Sequence, residues 1–190
     1  MQTRIATFKN RSRSAALRLL LAAGVLAAPL AHAQEHNHSQ SAQQQAPAKL
    51  VELVRNATSQ YVDVNAATAA NYQPFLGCVT GPDKGAMGIH YVNGTLVGDG
   101  QVDVNHPEAL IYEPVGNALK LVGVEFIVDA ATWLQTHTAA PVLEGQVFQL
   151  VTSPNRFGLP SFYELHVWAW RDNPNGAFVD WNTRVTCERQ

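Results

Sequence analysis

Tyr163-Glu164-Leu165-His166-Val167-Trp168-Ala169-Trp170 alternates between a wholly apolar series and one that mixes carboxylate, imidazole and indole. A period of two is the mark of a strand, and successive strand side chains point to opposite faces. Glu164, His166, Trp168 and Trp170 therefore share one face, and Tyr163, Leu165, Val167 and Ala169 share the other. The apolar face needs a core to lie against. The other face has the makings of a cleft or a barrel mouth, where apolar walls surround a few polar groups. The competing reading is a histidine packed and hydrogen-bonded beneath tryptophans.

Outward from this stretch, short β-branched or aromatic runs alternate with turn signals. The expected strands are Gly85–Asn93, Ala109–Glu113, Leu119–Val128, Gln146–Thr152, Phe162–Arg171 and Ala177–Trp181. Turns are expected at Gly81-Pro82-Asp83-Lys84-Gly85, Asn93-Gly94, Asn105-His106-Pro107 and Gly116-Asn117. Asn173-Pro174-Asn175-Gly176 is the strongest, with proline presetting φ and glycine free to take positive φ, and it makes the last two strands a hairpin. Ala130–Gln135, carrying Trp133, is expected as a short helix. Before the strands, Leu50, Leu53, Val54, Ala57, Tyr61, Val64 and Thr68 keep a three-and-four spacing. That is an amphipathic stripe, giving one long helix or two with a kink near Asp63. The expected fold is α+β: an N-terminal amphipathic helix packed on an antiparallel roll or small barrel of about six strands.

Two more stretches bear on chemistry. Gly85-Ala86-Met87-Gly88-Ile89-His90-Tyr91-Val92-Asn93 sets His90 mid-strand, with glycines that permit close backbone approach. Leu121-Val122-Gly123-Val124-Glu125-Phe126-Ile127 is an apolar strand interrupted by one carboxylate. Glu125 is costly there unless it is paired or faces an opening. If these strands face one cavity with the first, His90, His166 and Glu125 form a two-histidine, one-carboxylate set. Such a set suits a divalent metal such as zinc or non-haem iron, or serves as an acid/base pair. Glu164 and Trp168 belong to the same candidate pocket. His106 and His137 lie beside turns and are expected on the surface, and Asp180-Trp181-Asn182 is expected to pack the C-terminal strand. Nucleophile-elbow, P-loop, dinucleotide and haem-attachment motifs are absent.

The N-terminal region has its own signature. Arg4, Lys9, Arg11, Arg13 and Arg18 precede an apolar run from Leu19 to Leu30, and Ala31-His32-Ala33 follows. A charged start, a short apolar run and small residues at the cleavage positions make a Sec-type signal peptide over residues 1–33. The apolar run is too short for a membrane span, which needs about 20 residues. Residues 34–48 are polar and poor in apolar payload, so they are expected as a flexible leader, ahead of a single domain over 49–190. Residues 1–33 hold five of the 13 cations and none of the 15 acids, so their removal leaves eight cations against 15 acids. Such a chain is ill-suited to nucleic acid or anionic lipid, and no membrane insertion is expected after cleavage. The expected location is periplasmic or secreted. Cys78 and Cys187 are the two cysteines, and an oxidising compartment makes them a disulfide first. The alternative is a reactive thiol or metal ligand at Cys78 beside His90. Cleavage after Ala33 also exposes Gln34-Glu35-His36, a free amine with a third-position histidine that can bind Cu(II) in a square-planar array. Cyclisation of the glutamine would remove that amine.

From about Arg55 to Cys187 the chain resembles a family of uncharacterised secreted bacterial proteins. The resemblance rests on Asn71-Tyr72, Gly77-Cys78-Val79, Gly85-Ala86-Met87-Gly88-Ile89-His90-Tyr91, and Leu165-His166-Val167-Trp168 leading into Asp172-Asn173-Pro174-Asn175-Gly176. It implies an exported location and no particular activity. The expected function is a small-ligand or metal-binding module with its pocket around His90 and His166. Two alternatives stand beside it: an enzyme using those histidines with Glu125 or Glu164, and a disulfide-stapled structural or partner-binding domain.

Overall fold

The apolar stripe of the N-terminal region forms helix α1 (His38–Thr58), a 3-10 turn (Ser59–Val62) and helix α2 (Val64–Ala69). The computed structural model describes residues 38–188 apart from Pro82, so the expected signal peptide (residues 1–33) and His36 lie outside the described residues. Leu50 and Val54 are fully buried and share a core with the sheet. The kink falls at Asp63, whose carboxylate accepts the Asn65 N–H at 2.9 Å and caps α2. Helix α1 begins at His38, inside the stretch expected as leader, and Leu50 is its first buried side chain among those described.

The strands are β1 (Gln73–Gly81), β2 (Gly85–Val92), β3 (Ala109–Val115), β4 (Ala118–Asp129), β5 (Val142–Leu143), β6 (Gln146–Val147), β7 (Gln149–Val151) and β8 (Phe162–Val167). Six of them make one antiparallel sheet in the order β1-β2-β3-β4-β8-β7, curled into a half-barrel, while β5 and β6 pair separately. Short helices α3 (Gly94–Val97) and α4 (Ala130–Trp133) join strands. Among the described residues, no helix is long and apolar enough to cross a membrane.

One face of the sheet packs Leu110, Tyr112, Val124, Phe126, Val128, Tyr163, Leu165 and Val167 against Leu50 and Val54. The opposite face carries a smaller cluster of Ala86, Ile111, Val122, Trp168 and Val185. It also carries the polar residues described below.

Four expectations need correction. Strand β1 was not anticipated, because Pro74, Gly77 and Gly81 break its pattern. An edge strand tolerates them, and a bulge between Phe75 and Cys78 absorbs the irregularity, with positive φ at Leu76 and Gly77. The run Gln146–Thr152 divides into β6 and β7. The strand expected to reach Arg171 ends at Val167, because the chain bends so that Val122 O accepts both the Trp170 and Arg171 N–H groups. Trp170 consequently leaves the predicted face, joins the helix-side core and donates its indole N–H to Thr58 Oγ1 at 3.0 Å. Finally, Ala177–Trp181 is not a strand. The turn at 173–176 does reverse the chain, and the Trp168 N–H donates to Ala177 O at 2.9 Å. No ladder follows.

The irregular C-terminal segment is instead tied down at two places. Ala86 and Asn182 exchange backbone hydrogen bonds of 3.2 and 3.1 Å. Cys187 forms the expected disulfide with Cys78, across 109 residues of sequence, with Cα atoms 5.7 Å apart.

Candidate functional site

Three neighbouring registers build the site. Glu125 on β4 lies opposite His166 on β8, and Ile127 lies opposite Glu164. On the other side, Ala109 on β3 lies opposite Glu125, and Ile111 lies opposite His90 on β2. The alternation along β8 therefore places Glu164 and His166 on one face, as expected from the sequence. Strand β2 is less regular. Met87 and His90 would face opposite ways on a regular strand, but Gly88 takes φ +101° between them and both line one cavity. A Cβ on Gly88 would meet Tyr112 O at 2.7 Å.

His90, Glu125 and His166 are all buried, and each offers a ligand atom within 4.8 Å of the others. His90 Nε2 stands 3.2 Å from Glu125 Oε2. His166 Nδ1 stands 3.9 Å from Glu125 Oε1 and 3.8 Å from Asp180 Oδ1. Neither of the last two distances is a hydrogen bond, and both ring nitrogens of His166 lack any partner. Glu164, His166 and Asp180 form a second, overlapping trio. Gln149 braces it, donating from Nε2 to Glu164 Oε1 at 3.1 Å and also to Asp180.

Electrostatics follow from burial. Loss of solvent pulls the His90 imidazole down to about 4, partly opposed by Glu164. The same desolvation, together with His90, holds His166 well below its ordinary value. Both imidazoles are therefore neutral at physiological pH, with lone pairs free to donate. The His90–Glu125 contact is not an ion pair. Burial pushes the Glu125 and Glu164 carboxyls up, and they hydrogen-bond to one another, an arrangement that retains a proton between them. Asp180 is raised by burial as well, with the Gln149 amide opposing. Among the described residues, the ion pairs formed by Lys and Arg all lie elsewhere.

A cavity of about 40 Å³ opens onto His90 and Glu125. Its other walls are apolar and include Phe75, Val79, Met87, Ile127, Phe157 and Leu159. His166 and Glu164 sit behind Glu125 and do not line it. Trp168 does not line it either; its ring stacks near His166, with centroids 6.1 Å apart, and its N–H donates to Val179 O at 2.6 Å. His106 and His137 are exposed, the first against Asp103 at 2.7 Å and the second stacked on Trp133 at 3.6 Å.

Asp180 and Gln149 are the site residues that sequence reasoning missed. Asp180 sits in a segment expected to be a packed strand, and Gln149 falls where one expected strand is really two. The only sequence signal for Asp180 was a lone carboxylate between Val179 and Trp181. Compared with protein-family models, curated proteins and solved structures, the chain finds no match.

Proposed function

We propose that this is an exported binding protein for a divalent metal ion, with His90, Glu125 and His166 as its ligands. The observation that carries this reading is His166: a fully buried imidazole with neither nitrogen partnered, beside a second neutral imidazole and a carboxylate. An orphaned buried polar group costs roughly 1–3 kcal/mol, and a metal ion at that point would satisfy it. Ligands about 2.0–2.1 Å from a tetrahedral ion are about 3.3 Å apart, close to the 3.2 Å between His90 and Glu125. The excess of carboxyl groups over cations around the cluster supports a positively charged occupant. Export is supported by the charge and apolarity pattern of residues 1–33 and by the Cys78–Cys187 bridge.

Native mass spectrometry with elemental analysis tests the assignment on protein equilibrated with Zn(II) and then dialysed. One ion per chain is expected, and it should be lost in His166→Ala and in Glu125→Gln. His166→Phe, which keeps the volume filled, controls for misfolding by circular dichroism. A folded wild-type chain that stays metal-free overturns the reading and leaves a disulfide-stapled structural domain. An ion that survives both substitutions but disappears when residues 34–48 are deleted moves the site to His36 and its neighbours.

A further inference from the structure

His166 faces two sets of donors with one free lone pair. Its Nδ1 stands 3.9 Å from Glu125 Oε1 and 3.8 Å from Asp180 Oδ1, and neither carboxylate hydrogen-bonds to it. A neutral imidazole has a single acceptor nitrogen. The lone pair on Nδ1 can therefore hold one ion, either with His90 and Glu125 or with Glu164 and Asp180. The two trios are alternative positions for that ion, not the two halves of a two-ion centre. They differ in exposure. The side chains of His90 and Glu125 are 10% and 7% exposed, whereas that of Asp180 is 28% exposed. Asp180 is thus the donor that an ion arriving from solvent meets first.

The outer trio is held in place without an ion. Gln149 Nε2 donates to Glu164 Oε1 at 3.1 Å and to Asp180, which keeps the two carboxyl groups side by side. The chain on either side of Asp180 is fixed as well. Val179 O accepts the Trp168 indole N–H at 2.6 Å, and Asn182 exchanges backbone hydrogen bonds with Ala86. The other approach to the cluster is the cavity over His90 and Glu125, whose remaining walls are apolar. A cation entering there gives up water along walls that offer no ligand in exchange. One arriving at Asp180 trades water for carboxylate oxygen as it goes inward. We infer that Glu164, His166 and Asp180 form an outer position for the divalent ion, occupied on its way between solvent and the inner position at His90, Glu125 and His166. During the transfer the ion keeps its bond to His166 and exchanges its carboxylate partners. The inference rests on the metal reading above.

Two measurements with Zn(II) as the probe test it. X-ray absorption of the zinc-equilibrated chain counts the imidazoles on the ion: two are expected in the wild type and one in His90→Ala, held more weakly at the outer position. Adding Asp180→Asn to His90→Ala should abolish that binding. Circular dichroism checks that each variant is folded, and His90→Leu takes the place of alanine if it is not. Stopped-flow against a chromogenic chelator then gives uptake and release rates for the wild type and for Asp180→Asn. Both should fall by roughly tenfold, because a station on the path serves the ion in both directions. Release that quickens while uptake is unchanged makes Asp180 a supporting carboxylate only, and overturns the inference. A wild-type chain that takes up no zinc sinks the metal reading itself. A zinc-loaded wild type whose folded His90→Ala variant binds none in excess zinc sinks the outer position alone.

Discussion

Glu108 shows how one buried carboxyl makes the fold sensitive to pH. Its side chain is 2% exposed and its Oε2 accepts the Ile127 N–H at 2.9 Å. Burial raises it from 4.5 to about 8, with Asp99 and Glu125 adding to the effect. Because the folded value lies above the unfolded one, the stability it contributes is fully present below about pH 4.5 and is lost as pH rises through about 8. Glu108→Gln keeps an acceptor for Ile127 and removes the titration. Thermal midpoints of the two proteins should nearly coincide below about pH 4.5, separate progressively as pH rises to about 8 and stay apart above it, with the variant the more stable by a few kcal/mol. A constant offset across that range would contradict this assignment. His90, Glu125 and His166 were legible as residues because each interrupts an apolar strand pattern. Asp180 was not, because an irregular segment gives no periodicity from which a facing direction can be read.

The glycines of the sheet separate two kinds of demand at the level of the element. Gly88 has φ +101° and no room, since a Cβ would sit 2.7 Å from Tyr112 O. Gly116, in the β3–β4 turn, has φ +60° and open space around it. Alanine at 116 should cost about 1 kcal/mol, the backbone term alone. Alanine at 88 should cost about 2–4 kcal/mol, because the β2–β3 contact must also open. Urea unfolding of both variants checks this, and equal losses would mean that β2 shifts freely. Helices and central strands were legible from the sequence, since Leu50, Val54 and the alternation in β4 and β8 answer directly to burial. Edge strand β1 was not, because its irregularity is compatible with a strand only when one side needs no partner. Trp170 was misplaced for a similar reason: alternation persists in the sequence past Val167, but backbone hydrogen bonds to Val122 end the strand there.

Across the whole molecule, the Cys78–Cys187 bridge joins the bulged edge strand to the end of the C-terminal segment. A closed loop of about 100 residues restricts the unfolded chain by up to about 4.7 kcal/mol. Cys78→Ser with Cys187→Ser should therefore lower stability by about 2–4 kcal/mol, measured as a drop in unfolding midpoint. Reduction of the wild-type protein should lower it by a similar amount. No change on either treatment would mean that the Ala86–Asn182 hydrogen bonds alone hold the segment in place.

The strand order passes from β4 directly to β8, and this sets a timetable for the cluster. Strands β2, β3 and β4 are consecutive, so a meander formed early brings His90 and Glu125 together through short-range pairing. His166 arrives only when β8 crosses the intervening β5–β7 region to dock on β4, and non-local pairings of this kind are slow. A chain halted before that step offers an ion two donors rather than three. On the proposed metal reading, ion uptake during refolding would report the docking of β8 on β4 and would lag the appearance of β-structure.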